Sequence, residues 1–364
     1  MEQMGSKVQL GPSSAEECAY QEAGFAKILA TLSSANTIAI CAHTSPDGDA
    51  LGSQLALAQI VQKLWPSAEV RVLLADERPA PHIYSFLPGF ERLEMPSTYE
   101  GDPDVFVAVD LSDPRRLHEA RPICERADKV VVIDHHPPVE GFGDAKVVRT
   151  GAAAVGVIIA ELALHAKVDL TPDIAQSLMC AIVTDTGRFQ YQNADGEAFR
   201  VASLLVDHGA SPSQISLNVY ESFGLAFLHL KSLVLGRITT FEKGRIAYSY
   251  ATQSDFERTG ANLDECDGLI DAVRSVEGSQ IALFLKAVPG GKVRGNLRSK
   301  GIHDVSRVAT MLGGGGHRAA AGFTFEGSVD EALVAVLPSL RKLLHEQDVC
   351  DDGQCLDEAK EGAQ

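Results

Sequence analysis

Three apolar, β-branched runs in the first half of this chain each end on a polar side chain able to bind a cation. Residues 37–42 run into His43, residues 105–109 end on Asp110, and residues 129–133 deliver Asp134, His135 and His136. Uninterrupted apolar runs of this length suit strands buried on both faces, as in a parallel sheet covered by helices. Helical segments are expected at 20–32, 50–64, 151–165 and 174–183, the last presenting Asp185, with a further strand at 70–74. Ligands of open α/β sheets gather at the carboxyl edge, where these polar residues fall. The expected fold class is α/β: an N-terminal domain with a mainly parallel sheet flanked by helices, and a smaller C-terminal α/β domain with a mixed sheet.

At 364 residues the chain exceeds one comfortable core and suits two domains. The pattern changes after a polar, helical stretch at 194–228. Strands are expected at 234–240, 245–251, 280–288, 292–298 and 322–325, with helices at 265–275, 302–312 and 329–344. This divides the chain into a metal-binding domain over 1–208, a helical linker over 209–228, a substrate-binding domain over 229–345 and an acidic, disordered tail over 346–364.

Charge limits the partners. With 49 acidic and 32 basic residues the net charge is −17, which repels long polyanions. One Trp and 6% aromatic residues leave little for a stacking platform along single-stranded nucleic acid. The seven Cys residues are odd in number and without repeated spacing, which indicates reduced thiols. Cys350 and Cys355 read as surface cysteines of the tail. The opening residues carry no basic-then-apolar segment, and no apolar run reaches membrane-spanning length. A cytoplasmic protein with no membrane partner is therefore expected.

His43, Asp47 and Asp49 fall within seven residues after the first strand, in a loop where Pro46 and Gly48 favour a turn. That turn can splay the two carboxylates toward neighbouring cations, and Asp49 can equally cap the helix starting at Ala50. Each residue alone has a bland reading as a turn former, a cap or an incidental surface His. Their convergence with Asp110, His135 and Asp185 on one predicted edge points to a metal site. Carboxylate oxygens and imidazole nitrogens without thiolates form a set that Mn²⁺ accepts well.

His43-x-x-Pro-Asp-Gly-Asp-Ala-x-Gly-Ser53, Asp110, Asp134-His135-His136 and Thr184-Asp185-Thr186-Gly187 resemble, in order, the motifs of the DHH phosphoesterase family. The glycines at 313–316 followed by His317 resemble the signature of that family's associated C-terminal domain. The Thr-Asp-Thr-Gly-x-Phe segment and the compact length look most like the bacterial branch of nanoRNases and 3'-phosphoadenosine 5'-phosphate phosphatases. The resemblance implies two Mn²⁺, with Mg²⁺ and Co²⁺ compatible with the same ligands. One would be held by His43 and Asp47, the other by Asp49, His135 and Asp185, with Asp110 bridging. His136 would face the phosphate and Asp134 would orient the imidazoles. A homodimer through the first domain is a further family expectation.

Arg294, Arg298, Ser299 and Lys300 form a local basic cluster at the end of an expected strand, with Arg294 and Arg298 on one face. Arg298 and Ser299 resemble a family pair that contacts a substrate phosphate. Gly314, Gly315 and Gly316 are expected to offer backbone N–H groups to a terminal phosphate beside His317. With metals on one domain and substrate grips on the other, an interdomain cleft would limit substrate length. The expected partner is a small nucleotide or short oligonucleotide, cut by metal-activated water. Competing expectations are a cyclic or linear dinucleotide phosphodiesterase, a RecJ-like single-strand exonuclease, a pyrophosphatase and a non-catalytic nucleotide sensor.

Overall fold

The computed structural model describes residues 14–263, 266 and 268–351, the stretch 347–351 as backbone alone. A loose start is expected to about Glu16; residues 1–13 and the tail from 352, with Cys355, lie outside the described residues, while Ala15 and Glu16 already belong to a helix. The chain divides into two compact units between Ser222 and Phe223.

In the first unit, α1 (Ala15–Ser33) precedes β1 (Thr37–Cys41), α2 (Gly48–Leu64), β2 (Glu69–Leu73), the two-residue β3 (Leu93–Glu94) and β4 (Val105–Val109). Then come α3 (Arg121–Arg126), β5 (Lys129–Asp134), β6 (Ala145–Val148), α4 (Val155–His165), α5 (Pro172–Asp185), α6 (Gly196–Asp207) and the short α7 (Pro212–Ile215). The strands form one parallel sheet in the order β3-β2-β1-β4-β5-β6. Because β4 pairs with β1 after the chain has built β2 and β3, the winding reverses between those two strands. The loops leaving such a switch point part to opposite faces and open a crevice at the carboxyl edge. His43 and Asp110 follow the two strands that flank it.

Alternation along these strands fills both faces. Ile38, Ile40, Val105, Val107, Val131 and Ile133 join the core beneath α2, α4 and α5. Ala39, Cys41, Phe106, Ala108 and Val132 pack on the other face with Leu111, Leu117 and Ile123. Two glycines let the helices crowd together at the site. A Cβ at Gly52 of α2 would come within 2.4 Å of the Ser177 carbonyl of α5, and one at Gly48 within 2.5 Å of the Thr184 side chain. Only glycine permits this approach, which draws the first turn of α2 against the end of α5.

The structure corrects two expectations here. β6 was not expected, because four residues behind a glycine-containing turn are too few for a periodic signal. The helix expected over 151–165 begins only at Val155, and the preceding residues form an irregular segment after β6.

The second unit comprises α8 (Leu225–Gly236), β7 (Thr239–Phe241), β8 (Ile246–Ala251), α9 (Gln253–Thr259), α10 (Leu269–Arg274), β9 (Ile281–Val288), β10 (Lys292–Ser299), α11 (Val305–Met311), β11 (Gly315–His317), β12 (Ala320–Glu326) and α12 (Val329–Asp351). Its mixed sheet runs β11-β12-β10-β9-β8-β7, with only β8 and β9 parallel. One face buries Leu283, Leu285, Leu297 and Phe323 with residues of α11 and α12; the other buries Ala282 and Phe284 with residues of α8 and α10. Of the strand expected at 234–240, residues 234–236 are helix instead, since Phe227, Leu230 and Val234 bury at helical spacing, and only 239–240 are strand. The helix expected over 265–275 is seen as α10, residues 264, 265 and 267 lying outside the described residues. Residues 346–351, expected as tail, continue α12. Among the described residues no helix is long and apolar enough to cross a membrane.

Candidate metal centre

Leaving β1, the chain presents His43 and turns at Ser45, whose φ of 51° is left-handed. His43 Nδ1 donates to its neighbour's carbonyl at Thr44, 2.8 Å away. That bond sets the tautomer and turns Nε2 toward Asp110 Oδ2 at 3.2 Å and Asp47 Oδ1 at 4.0 Å. Asp47, not Asp49, is the N-cap of α2: its Oδ1 accepts from the N–H groups of Asp49 and Ala50. The helix therefore begins at Gly48, and the two carboxylates diverge.

Asp49 points inward and is 1% exposed. Its oxygens accept from Val155 N, Gly156 N and Ser53 Oγ at 2.7–3.0 Å, so the amides at the start of α4 hold it. His135 Nδ1 donates to Ala152 O at 3.0 Å, turning Nε2 toward Asp110 Oδ1 at 3.5 Å, Asp49 Oδ2 at 3.8 Å and Asp185 Oδ2 at 3.9 Å. The six residues fall into two sets, His43–Asp47–Asp110 and Asp49–His135–Asp185, each with ligand atoms within 4.8 Å of one another.

Asp110 sits between the sets, one oxygen toward His43 and the other toward His135. Its φ of 58° places a non-glycine residue in the left-handed region, which costs about 1 kcal/mol or more and aims the carboxylate off the strand end. Asp134 is fully buried and accepts from Ser112 Oγ, from the backbone N–H groups of His135 and His136, and from His136 Nδ1 at 2.8 Å. It thus meets the ring of His136 but only the backbone of His135, whose ring is held by Ala152.

Gathering these carboxylates beside imidazoles shifts Asp49, Asp110, His135 and Asp185 from their ordinary values. Burial, followed by the charge of Asp110, pushes the Asp49 carboxyl well above its usual range. Burial likewise pushes Asp185 up to about 6, against the pull of His135. Burial disfavours charge on His135, yet Asp185, Asp110 and Asp49 outweigh it and raise the imidazole to about 10. Burial also works against Asp110, but the bond from His43 and the charges of His136 and His135 hold it below the carboxylate range. Such a cluster stores repulsion that a divalent cation would relieve.

The donor chemistry fits that group. Imidazole Nε2 atoms and carboxylate oxygens suit Mn²⁺ and its neighbours in hardness. Asp110 Oδ1 is buried without a hydrogen-bond partner among the described residues, a state costing about 1–3 kcal/mol unless a cation meets it. Asp76, His118 and Glu119 form another close group, but Asp76 is occupied structurally. Its carboxylate accepts from Thr44 Oγ1 at 2.7 Å and Ser45 N at 2.8 Å, anchoring the loop that carries His43.

The second unit holds the other candidates. Arg294 and Arg298 share a face of β10, and Arg298 pairs across to Ala320, which pairs in turn with His317. Arg298 and His317 therefore flank a small Ala, two strand spacings or about 10 Å apart. Arg298 Nε is buried without a partner among the described residues. Ser299, by contrast, lies on the opposite, buried face, and its hydroxyl closes a turn with Gly301. Lys300 Nζ donates to Val276 O at 2.7 Å.

The glycine run differs from the expected row of phosphate-binding amides. Gly313 and Gly314 donate their N–H groups to Thr310 and Ala309 of α11, and Gly315–His317 pairs with β12 as an edge strand. Gly314 thus caps a helix.

Sequence reasoning missed Asp76, Ser112 and Asn193. Asn193 Nδ2 lies 3.0 Å from Ala153 O and 3.1 Å from Asp185 O. None of the three stands in a recognisable spacing to the ligands it supports. Ser53 was visible only as the last residue of the first motif.

The model for the N-terminal domain of the DHH family matches residues 37–182, and that for the DHHA1 domain matches residues 243–346. A bifunctional oligoribonuclease and PAP phosphatase, NrnA, of Thermus thermophilus is 31% identical over 308 residues, covering 84% of this chain and 90% of the relative. Its namesake in Bacillus subtilis is 29% identical over 321 residues, covering 87% and 98%. Among solved structures, an exopolyphosphatase-related protein from Bacteroides fragilis superposes with a TM-score of 0.81 at 23% identity, over 88% of this chain and 96% of that one. This last likeness speaks to fold.

Proposed function

The chain belongs to the DHH family of metal-dependent phosphoesterases, and from that premise we propose that it hydrolyses short oligoribonucleotides, 3'-phosphoadenosine 5'-phosphate, or both. The observation that carries the reading is the pair of ligand sets meeting at Asp110, whose buried Oδ1 has no hydrogen-bond partner among the described residues. Two Mn²⁺ are the proposed occupants, held by His43, Asp47 and Asp110 on one side and by Asp49, His135 and Asp185 on the other, with Asp110 shared. Bound there, such cations would supply positive charge to phosphoryl oxygens and lower the pKa of a nucleophilic water.

The residues do the rest by placement. Ala152 O and Thr44 O keep the δ-protons on His135 and His43, so each presents Nε2. Asp134 accepts a hydrogen bond from His136 Nδ1, which fixes the ring and leaves its far edge to face the substrate phosphate. No Ser or Cys nucleophile is needed.

In the second unit, Arg298 and His317 are proposed to take the substrate's terminal phosphate, with Arg294 on the same face. The relatives named as oligoribonuclease and PAP phosphatase support a nucleotide with a terminal phosphate, and the net charge of −17 favours a short one.

The test is one panel at fixed Mn²⁺: RNAs of graded length, 3'-phosphoadenosine 5'-phosphate, linear and cyclic dinucleotides, and pyrophosphate. Turnover should concentrate on the shortest RNAs and the bisphosphate. A rate independent of RNA length, or a clear preference for pyrophosphate, would overturn the substrate assignment.

A further inference from the structure

Three ligands of one set come from distant parts of the chain, yet all three are tied to a single stretch of backbone. Val155 N and Gly156 N hold Asp49, and Ala152 O holds the ring of His135. Between them, Ala153 O accepts from Asn193 Nδ2 at 3.0 Å. The same amide reaches Asp185 O at 3.1 Å and Asp185 Oδ2 at 3.4 Å. Asn193 is thus the side chain through which Asp185 joins the stretch that already aligns Asp49 and His135.

The path that returns Asn193 to Asp185 is conformationally costly. Gly187, Arg188 and Phe189 follow one another with φ of 54°, 62° and 60°, two of them non-glycine residues in the left-handed region. Buried Thr186 secures the reversal. Its Oγ1 accepts from Phe189 N at 3.1 Å, and its carbonyl accepts from Gln190 N and Tyr191 N at 3.1 and 3.0 Å. Arg188 N also donates to Val183 O at 2.7 Å. Observed strain of this kind points to a position that function requires.

We propose that Asn193 is a positioning residue for the Asp49–His135–Asp185 site, fixing Asp185 so that the three ligands converge on one cation. The proposal rests on the metal-centre reading above. Loss of the amide removes the tie between Asp185, at the end of α5, and Ala153. Outer-sphere hydrogen bonds of this type commonly alter metal affinity by about 10–100-fold.

The experiment titrates Mn²⁺ calorimetrically into the metal-free full chain, comparing wild type with Asn193→Ala and with the near-isosteric Asn193→Leu. Melting curves are recorded with and without the ion. Wild type should bind two Mn²⁺ per chain. Both variants should bind one ion about 10–100-fold more weakly and the other within about twofold of wild type. The metal-free melting temperature should stay near that of wild type, while the rise on adding Mn²⁺ shrinks. If wild type binds two ions and both variants match it, the positioning role is overturned while the metal centre stands. An equal drop in the metal-free and Mn²⁺-loaded melts, with unchanged affinities, marks a purely structural turn residue and also overturns it. If wild type binds no Mn²⁺, the metal reading itself fails, and this inference with it.

Discussion

The candidate metal centre of the first unit and the Arg298–His317 strip of the second are built in opposite ways. His43, Asp49, Asp110 and His135 are each at least nine-tenths buried, and every one is held by backbone or side-chain partners from another segment. Arg298 and His317 are half-buried on a sheet face near its edge, with small residues between and beside them. A cation of fixed radius rewards ligands that do not move, because any misalignment forfeits bonding to a site already paid for in desolvation. A substrate that must enter and leave needs reachable groups. Substitutions should therefore abolish chemistry in the first region and weaken affinity in the second.

The largest effect is expected at Asp110. Asp110→Ala removes the carboxylate common to both sets and should lower kcat by on the order of a thousandfold or more. Circular dichroism should show the fold kept. Near-normal turnover would break the comparison at its root.

Next, Arg298→Ala and His317→Ala should each raise KM about 10–100-fold, the equivalent of a lost charge-assisted hydrogen bond, with a smaller change in kcat. Mn²⁺ affinity measured by titration should not change. A fall in kcat with KM untouched would place these residues in the chemistry.

The glycines give a finer test. A Cβ at Gly314 would meet Gly322 O at 2.1 Å, whereas one at Gly315 meets nothing within 4 Å. Gly314→Ala should destabilise the second unit by about 1–3 kcal/mol. Gly315→Ala should be nearly neutral in a denaturant melt, so any rise in its KM reports on close approach by substrate.

The smallest effect concerns a third place with surplus carboxylates. Arg149 bonds both Glu161 and Glu197, two buried acids for one guanidinium. Burial, against the pull of Arg149, pushes Glu161 up to about 7. A carboxyl raised in the folded state contributes most below its ordinary value of 4.5, and that contribution is lost as pH rises through about 7. Stability should fall by on the order of 1–2 kcal/mol between pH 5 and 8. Glu161→Gln should flatten this, as read from chemical denaturation at both pH values. Where the candidate metal centre would relieve its surplus charge with cations, this pair would retain a proton.

Most of the candidate centre was legible in the sequence because several of its residues follow strands whose apolar runs are unmistakable. His43, Asp110, Asp134 and His135 are read directly from the ends of such runs. The reading failed where local pattern is weak or overridden. β6 is short, the start of the expected strand at 234–240 yields to helix through the burial of Phe227, Leu230 and Val234, and the Gly313–Gly314 amides cap α11. Ser299 was paired with Arg298 by resemblance to a family motif, and the structure sets the two on opposite faces of β10.

The sequence by itself determined the α/β class and the domain pair and singled out the candidate ligands, because hydrophobic periodicity and motif order are one-dimensional properties. Only the tertiary structure decided how Asp47 and Asp49 part company. Asp47 caps α2 at the surface, whereas Asp49 is drawn inward by the amides of Val155 and Gly156, more than a hundred residues away. The supporting contacts of Asp76 and Asn193 were likewise invisible beforehand. They depend on which loops meet across the carboxyl edge, and that meeting is set by strand order and helix packing, which no local spacing encodes.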